Sequence, residues 1–349
     1  MIGLIVNPNS RKNRHKPSRV RRLEKVLGRH GCVIETPSVD SIVPALKRFA
    51  DEGRRYWVAD GGDGALHWMI NEAIRYFGAQ RAASIAVYVP TGGGTIDFVA
   101  RAIGMEGSPQ EIVARLAAAV AEGRAPALVE VPVMSFVGSQ TLYGDESVAW
   151  RRVGFGCALA GFGANFFGPL YRGNKEYGAP RIAKLLAAAF GAGFGQYAMR
   201  GPLAALKPDF MARAEHEFLR PLRGEVRVDG TVLRGEDGRA VREHTVLHAG
   251  SVPVNLANIF RVFPRAGDGQ MHVHAGHISV GEAARVLPGL ITGRSVHHLL
   301  RDAIDGPATT LDVVCEPGEE LTPVLDGEVF HRITELHATV GPRFTMALP

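Results

Sequence analysis

Short apolar runs alternate with amphipathic stretches through the first third of the chain. Residues 2–6, 33–35, 56–59 and 84–89 are brief apolar runs bounded by polar or glycine positions, and residues 20–27, 42–49 and 66–76 carry apolar side chains at helical spacing. Strands alternating with helices predict βαβ units on a largely parallel sheet, with ligands held where strand ends meet helix starts. A further helix is expected over 112–121, after which Gly123-Arg124-Ala125-Pro126 breaks the pattern. Beyond that point the runs read mainly as strands, at 128–136, 141–152, 226–233, 245–249, 271–273, 309–315, 335–339 and 343–347, with a helical interruption around 281–290. Asp268-Gly269 is read as a hairpin turn, since both residue types tolerate positive φ. The expectation is an α/β parallel-sheet domain over residues 1–127, followed by a β-rich, β-sandwich-like domain with helical insertions over 128–349.

Composition changes this picture little. A chain of 349 residues exceeds what one compact core supports, in keeping with two domains. With 46% apolar and 21% charged residues it has the balance of an ordinary globular enzyme. Cys32, Cys157 and Cys315 are scattered and lack CxxC or Cys/His ligand spacing, which predicts reduced thiols in the cytoplasm and no structural zinc. The first apolar run turns polar at Asn7-Pro8, so it reads as a buried strand and not as a signal peptide. Residues 182–199 are greasy but include Lys184 and glycines, so no membrane span is expected. His272, His274 and His277 have no acidic or thiol neighbour in sequence and are read as exposed strand histidines, not as a metal site.

The net charge of +5 gains meaning from its distribution. Arg11, Lys12, Arg14, Lys16, Arg19, Arg21, Arg22, Lys25 and Arg29 crowd the segment after the first strand, with Glu24 the one acid among them. Such a segment is either a solvated helix face or a surface drawn to phosphates or to an anionic membrane, where each cation is worth about 1 kcal/mol. Peripheral contact with the inner face of a membrane is one expected partnership and a homodimer another; no nucleic-acid partner is expected.

Candidate chemistry lies in three turns that each follow a predicted strand and precede a helical pattern: Asn7-Pro8-Asn9-Ser10, Asp60-Gly61-Gly62-Asp63-Gly64 and Gly92-Gly93-Gly94-Thr95. Glycine at such a turn lets backbone N–H groups approach phosphate oxygens, and the helix N-terminus adds partial positive charge. Singly, glycine pairs also serve as plain strand-to-helix turns. Asp63 adds information, because a carboxylate in a phosphate cradle repels the ligand unless a divalent cation bridges them, and this implies Mg²⁺; capping a helix is its other reading. No Walker-type Gly-x-x-x-x-Gly-Lys-Ser/Thr is present, and neither glycine run satisfies G-x-G-x-x-G.

The order of these elements resembles the catalytic pattern of the diacylglycerol kinase and sphingosine kinase family: Asn-Pro-x-Ser, then Gly-Gly-Asp-Gly, then a Gly-Thr loop, then Asp326-Gly327-Glu328 near the C-terminus. Residues 94–104 lie without a gap on the family's Gly-Thr-Gly-Asn-Asp-Phe-Ala-Arg-x-Leu-Gly run. The resemblance implies an α/β nucleotide domain, a β-rich second domain and ATP in a cleft between them. It implies that Asn7, Asn9, Ser10, Gly61, Gly62, Gly64, Gly94 and Thr95 bind ATP, that Asp63 and Asp326 hold Mg²⁺, and that Glu328, with Asp326 and Asp63, is catalytic toward a lipid hydroxyl. If Asp326 and Glu328 lie in a strand they share one face, so one can hold metal while the other takes a proton; alone, Leu325-Asp326-Gly327-Glu328 would read as a surface hairpin turn.

Ala65 stands where the family has Thr, Asp97 where it has Asn, and Trp68 replaces an acid after His67. Asn71 is read either as a nucleotide contact or as a helix-surface residue. An NAD kinase-like phosphotransferase also uses Gly-Gly-Asp-Gly, and the departures suit a catalytically silent lipid- or nucleotide-binding protein. On the acceptor side, Gly154-Phe155-Gly156, residues 161–167 and residues 182–194 mix small and aromatic residues, as an acyl-chain cleft or plain core packing would.

Overall fold

A computed structural model describes residues 1–10, 13, 18–94, 96–142, 146–171, 209, 219–256 and 259–349. The architecture is mixed α/β. The chain divides into two units, one of Met1–Val133, Val254–Ala257 and Gly341–Pro349, the other of Met134–Pro253 and Asn258–Val340. Two later segments return to the first unit. The last of these returns as a strand: Met346 pairs in parallel with Tyr88, and Phe344 packs edge-on to the Tyr88 ring at 5.3 Å.

In the first unit the strands β1 (Ile2–Val6), β2 (Gly31–Glu35), β3 (Tyr56–Asp60) and β4 (Val87–Pro90) form a parallel sheet in the order β4-β3-β1-β2. The helices are α1 (Arg19–Leu27), α2 (Ile42–Asp51), α3 (Asp63–Phe77), α4 (Ala79–Ile85), α5 (Phe98–Ala102) and α6 (Pro109–Ala121). Alternation along β1 decides which helix covers which face. Ile2, Leu4 and Val6 join Leu23 and Leu27 of α1 and Ile112 and Leu116 of α6 in one buried cluster. The Phe49 ring of α2 lies tilted against Trp57 of β3, with centroids 6.1 Å apart, and would collide with a Cβ on Gly3, which places α2 on the opposite face. The run 84–89 splits between two elements, with α4 ending at Ile85 and β4 opening at Val87.

The second unit is mainly antiparallel. Its elements are β5 (Ala127–Thr141) and β6 (Ser147–Gly154), a long hairpin, then β7 (Gly156–Ala160) and α7 (Gly161–Tyr171). There follow β8 (Leu222–Val228), β9 (Thr231–Val232), β10 (Glu243–His244), β11 (Val246–Gly250), then β12 (Val254–Leu256), which belongs to the first unit, and β13 (Phe260–Val262), β14 (Met271–His277) and α8 (Val280–Thr292). The chain closes with β15 (Asp302–Ala308), β16 (Thr310–Cys315), β17 (Val324–Leu325), β18 (Glu328–Val329) and β19 (Ile333–Leu348). One sheet runs β15-β14-β11-β7-β17-β18, and β10-β8-β16-β19 forms another ladder. Ser279 and Glu282 cap α8 reciprocally. Asp268-Gly269 is a turn as expected, with φ of 51° and 81° and both hydrogen bonds of the Gly267–Gln270 pair in place.

Candidate functional site

The turns after β1, β3 and β4 come together in the first unit. The Asn7 amide donates to the Asp60 carbonyl at 3.3 Å, and the Gly93 amide to the Gly61 carbonyl at 2.6 Å. Two of the glycine positions are fixed by this meeting. A Cβ on Gly62 would lie 2.7 Å from the Gly94 Cα, and a Cβ on Gly94 would lie 2.6 Å from the Gly62 Cα, so the two turns touch backbone to backbone. Gly61 stands close to the Cβ atoms of Asn7 and Ser10 as well, at 3.7 and 3.8 Å from where its own would be.

The α3 helix starts from this meeting point with Gly62 as its N-cap and no side-chain cap. Its first-turn amides have no i−4 carbonyl, so the end carries partial positive charge and suits an anion. Ser10 contributes a hydroxyl oxygen that is buried and has no hydrogen-bond partner among the described residues. That orphan polar atom fits a site whose partner is a ligand oxygen. Asn7 and Asn9 hold the first turn in shape: the Asn7 Oδ1 accepts from the Asn9 amide at 2.9 Å, and the Asn9 side chain donates to the Pro37 carbonyl at 3.0 Å. Not every glycine amide faces a ligand, since the Gly94 N–H donates to the Asp97 carboxylate at 2.7 Å. Thr95 lies outside the described residues.

Asp63 serves the loops directly. Its Oδ2 accepts from the Phe98 amide at 3.0 Å and its Oδ1 from the Val99 amide at 3.1 Å, so it caps α5 across the chain. Asp97, at φ 54°, turns the chain into that helix. Both are oxygen donors of the kind a hard cation takes. Asn71 is buried, not on the helix surface, and donates to the His67 carbonyl at 2.8 Å.

In the second unit Asp326 and Glu328 do not share the face of a strand. Asp326-Gly327 is the two-residue turn between β17 and β18, with φ of 52° and 90°, and Leu325 pairs with Glu328 across it. Asp and Gly are the residues that enter such a primed turn most readily, which is why the strand stops there. Nor is it a surface turn. Asp326 is only 3% exposed, and its Oδ1 accepts from the Phe155 and Gly156 amides at 2.9 and 3.0 Å. Gly154-Phe155-Gly156 is thereby assigned to the packing around this carboxylate; residues 182–194 lie outside the described residues.

Residues 1–125 match the family model of the diacylglycerol kinase catalytic domain. Two crystal structures from Bacillus anthracis str. Sterne, one of a candidate diacylglycerol kinase and one of a diacylglycerol kinase, are similar to the whole chain. Their TM-scores are 0.62 and 0.57 at 14% and 13% identity, each covering 100% of this chain and 96% of the other. At that identity the likeness is one of fold. No curated protein matches the chain.

Outside the part that matches the catalytic domain, the histidines correct the sequence reading. His272 and His274 are buried, and both place Nε2 on one oxygen of Asp305, at 2.7 and 2.8 Å. Asp305 is the acidic partner missing from the local sequence, brought opposite His274 by the pairing of β14 with β15. The three could hold a metal by distance alone. His272 argues otherwise: its Nδ1 accepts the Arg265 amide at 3.1 Å, so the proton sits on Nε2 and is donated to Asp305. Burial pushes the Asp305 carboxyl up, yet the bonds from His272, His274 and the Val296 amide outweigh it and hold it well below the usual carboxylate range. Among the described residues no helix is long and apolar enough to cross a membrane, and residues 182–199 fall outside them.

Proposed function

We propose that the chain is an ATP-dependent lipid kinase that transfers the γ-phosphate of ATP to the hydroxyl of a diacylglycerol-like or sphingoid-like lipid. The observation that carries this reading is the meeting of the three turns at the uncapped start of α3, with the unpartnered Ser10 hydroxyl beside them. The match of residues 1–125 supports the same reading. Asn7, Asn9, Ser10, Gly61, Gly62, Gly64, Gly94 and Thr95 form the phosphate-binding set. Glycine backbones and the helix terminus lie where negative charge must be stabilised. Asp63 and Asp326 are the metal-holding carboxylates of this reading, and a bound Mg²⁺ would offset the charge of the phosphates. Glu328, half-buried at the start of β18, takes the proton of the acceptor alcohol, which is a poor nucleophile without a base.

The test is incubation with γ-³²P-labelled ATP, Mg²⁺ and a total lipid extract or NAD, with products separated by thin-layer chromatography. Label in a lipid product is the expected result. Label on NAD redirects the assignment to an NAD kinase-like activity, and nucleotide binding without any transfer redirects it to a silent binding protein. Glu328→Gln is expected to lower turnover by about two orders of magnitude or more while folding and ATP binding persist. Unchanged lipid phosphorylation by that variant removes Glu328 from the mechanism.

A further inference from the structure

The first unit contains a buried ion pair that neither the sequence reading nor the proposed chemistry uses. We propose that Asp60 and Arg19 are positioning residues for the phosphate-binding turns, a hub that fixes their spacing without touching the nucleotide. The proposal rests on the kinase reading for its consequence and on the geometry for its existence.

Asp60 ends β3 and is 1% exposed; Arg19 opens α1 and is 8% exposed. The pair is bidentate, with Arg19 Nε at 3.0 Å from Oδ2 and Nη2 at 2.6 Å from Oδ1. Asn13 donates to the same Oδ2 at 3.1 Å, and also to the carbonyls of Asp60 and Asn7, each at 3.1 Å. Thr91, which follows β4, places its hydroxyl 3.5 Å from Oδ1 while donating to the Ala59 carbonyl at 3.1 Å. One carboxylate thus gathers the chain after β1, the end of β3, the residue after β4 and the start of α1.

Each partner is out of place alone. An arginine in the first turn of a helix opposes the helix dipole, and α1 has no acid and no side-chain cap there to compensate. A buried carboxylate immediately before Gly61-Gly62 opposes phosphate binding by its charge. Paired, they are neutral. A hydrophobic pair of equal volume fills such a space with less desolvation; the guanidinium–carboxylate fork adds fixed direction.

Charge and positioning give opposite expectations for one variant, and this decides the test. Asp60→Asn removes a negative charge near the phosphates, so a purely electrostatic role predicts equal or tighter ATP binding. The positioning role predicts that Asp60→Asn binds a fluorescent ATP analogue with Mg²⁺ about tenfold or more weakly, roughly the factor a 1.4 kcal/mol loss corresponds to. Hydrogen exchange at the Ser10, Asn13 and Gly93 amides should quicken together, while the second unit keeps its protection. The double variant Arg19→Met/Asp60→Leu avoids an unpaired buried charge; it should fold, by circular dichroism and thermal melting, and still bind weakly. Binding by Asp60→Asn at or above the wild-type level, or wild-type affinity and loop protection in the folded double variant, overturns the proposal. If the wild-type protein binds no ATP, the kinase reading fails, and the exchange measurement alone decides whether the hub orders the turns.

Discussion

Gly62→Ala tests the contact on which the candidate site is built. The residue has φ −90° and ψ −165°, an extended conformation open to alanine, so no backbone strain accompanies the change. All the effect comes from space. The new methyl would lie 2.7 Å from the Gly94 Cα and 3.2 Å from its nitrogen, whereas carbon atoms rest at about 3.5–4.0 Å. Both obstacles are backbone, and Gly94 is held by its bond to Asp97 at 2.7 Å, so the two turns must part by about 1 Å. Overpacking of this kind costs about 1–3 kcal/mol. At about 2–4 °C per kcal/mol for a unit of this size, the melting temperature should fall by about 2–12 °C. Parting the turns also strains the bond from Gly93 to Gly61, so ATP binding should weaken in the same variant. Gly53→Ala is the control: it sits at φ 61° with nothing within 4 Å, so it should lose about 1 kcal/mol and no nucleotide affinity. A Gly62→Ala protein with unchanged melting and unchanged nucleotide binding would refute the backbone-to-backbone contact.

Further outcomes follow from single contacts. Ser10→Ala removes a buried hydroxyl without a partner, so it should raise stability by about 1 kcal/mol while weakening ATP binding, measured by melting and by titration of the same sample. Asp326→Asn keeps an oxygen for the Phe155 and Gly156 amides and should fold, whereas Asp326→Ala leaves both donors bare and should lose about 3 kcal/mol in urea unfolding; equal losses would contradict the hydrogen-bonding role. Burial lowers the pKa of His244 from 6.5 to about 4, against the opposing bond to the Gly224 carbonyl. The unfolded chain therefore binds a proton that the folded chain refuses between those pH values, and stability should fall by about 3 kcal/mol as the pH drops through that window; a His244→Gln variant should show a shallower pH dependence in the same unfolding series.

The elements of the first unit were legible because both periodicities were clean. Residues 2–6 and 56–59 have the length and β-branched content of buried strands, and 20–27 and 42–49 carry one apolar face each. The turns were legible because three of them recur in the same place, each after a strand-like run and before a helical pattern. What escaped was every feature made by distant pairing. Nothing near His272 or His274 in sequence announces Asp305; only the antiparallel register of β14 on β15 brings it opposite. Arg19 looked like one cation of a crowded basic segment, and its burial against Asp60 needs the β3 strand end beside the start of α1. The returns of Val254–Ala257 and Gly341–Pro349 to the first unit were hidden for the same reason, since a strand run carries no mark of the sheet it joins.

Asp326-Gly327 and Asp268-Gly269 show where that limit bears on function. The dipeptides are identical and adopt nearly the same pair of positive φ values. Asp268 is exposed, while Asp326 is buried with its Oδ1 held by two backbone amides. The difference is supplied by the segment opposite, where β7 begins beside β17 and presents the Phe155 and Gly156 N–H groups to the turn. A carboxylate so held cannot swing to collect a proton, because leaving its site would strand both donors at about 1–3 kcal/mol each. Within the kinase reading, proton abstraction therefore falls to Glu328, whose position one residue past the turn is set by the anchored Asp326.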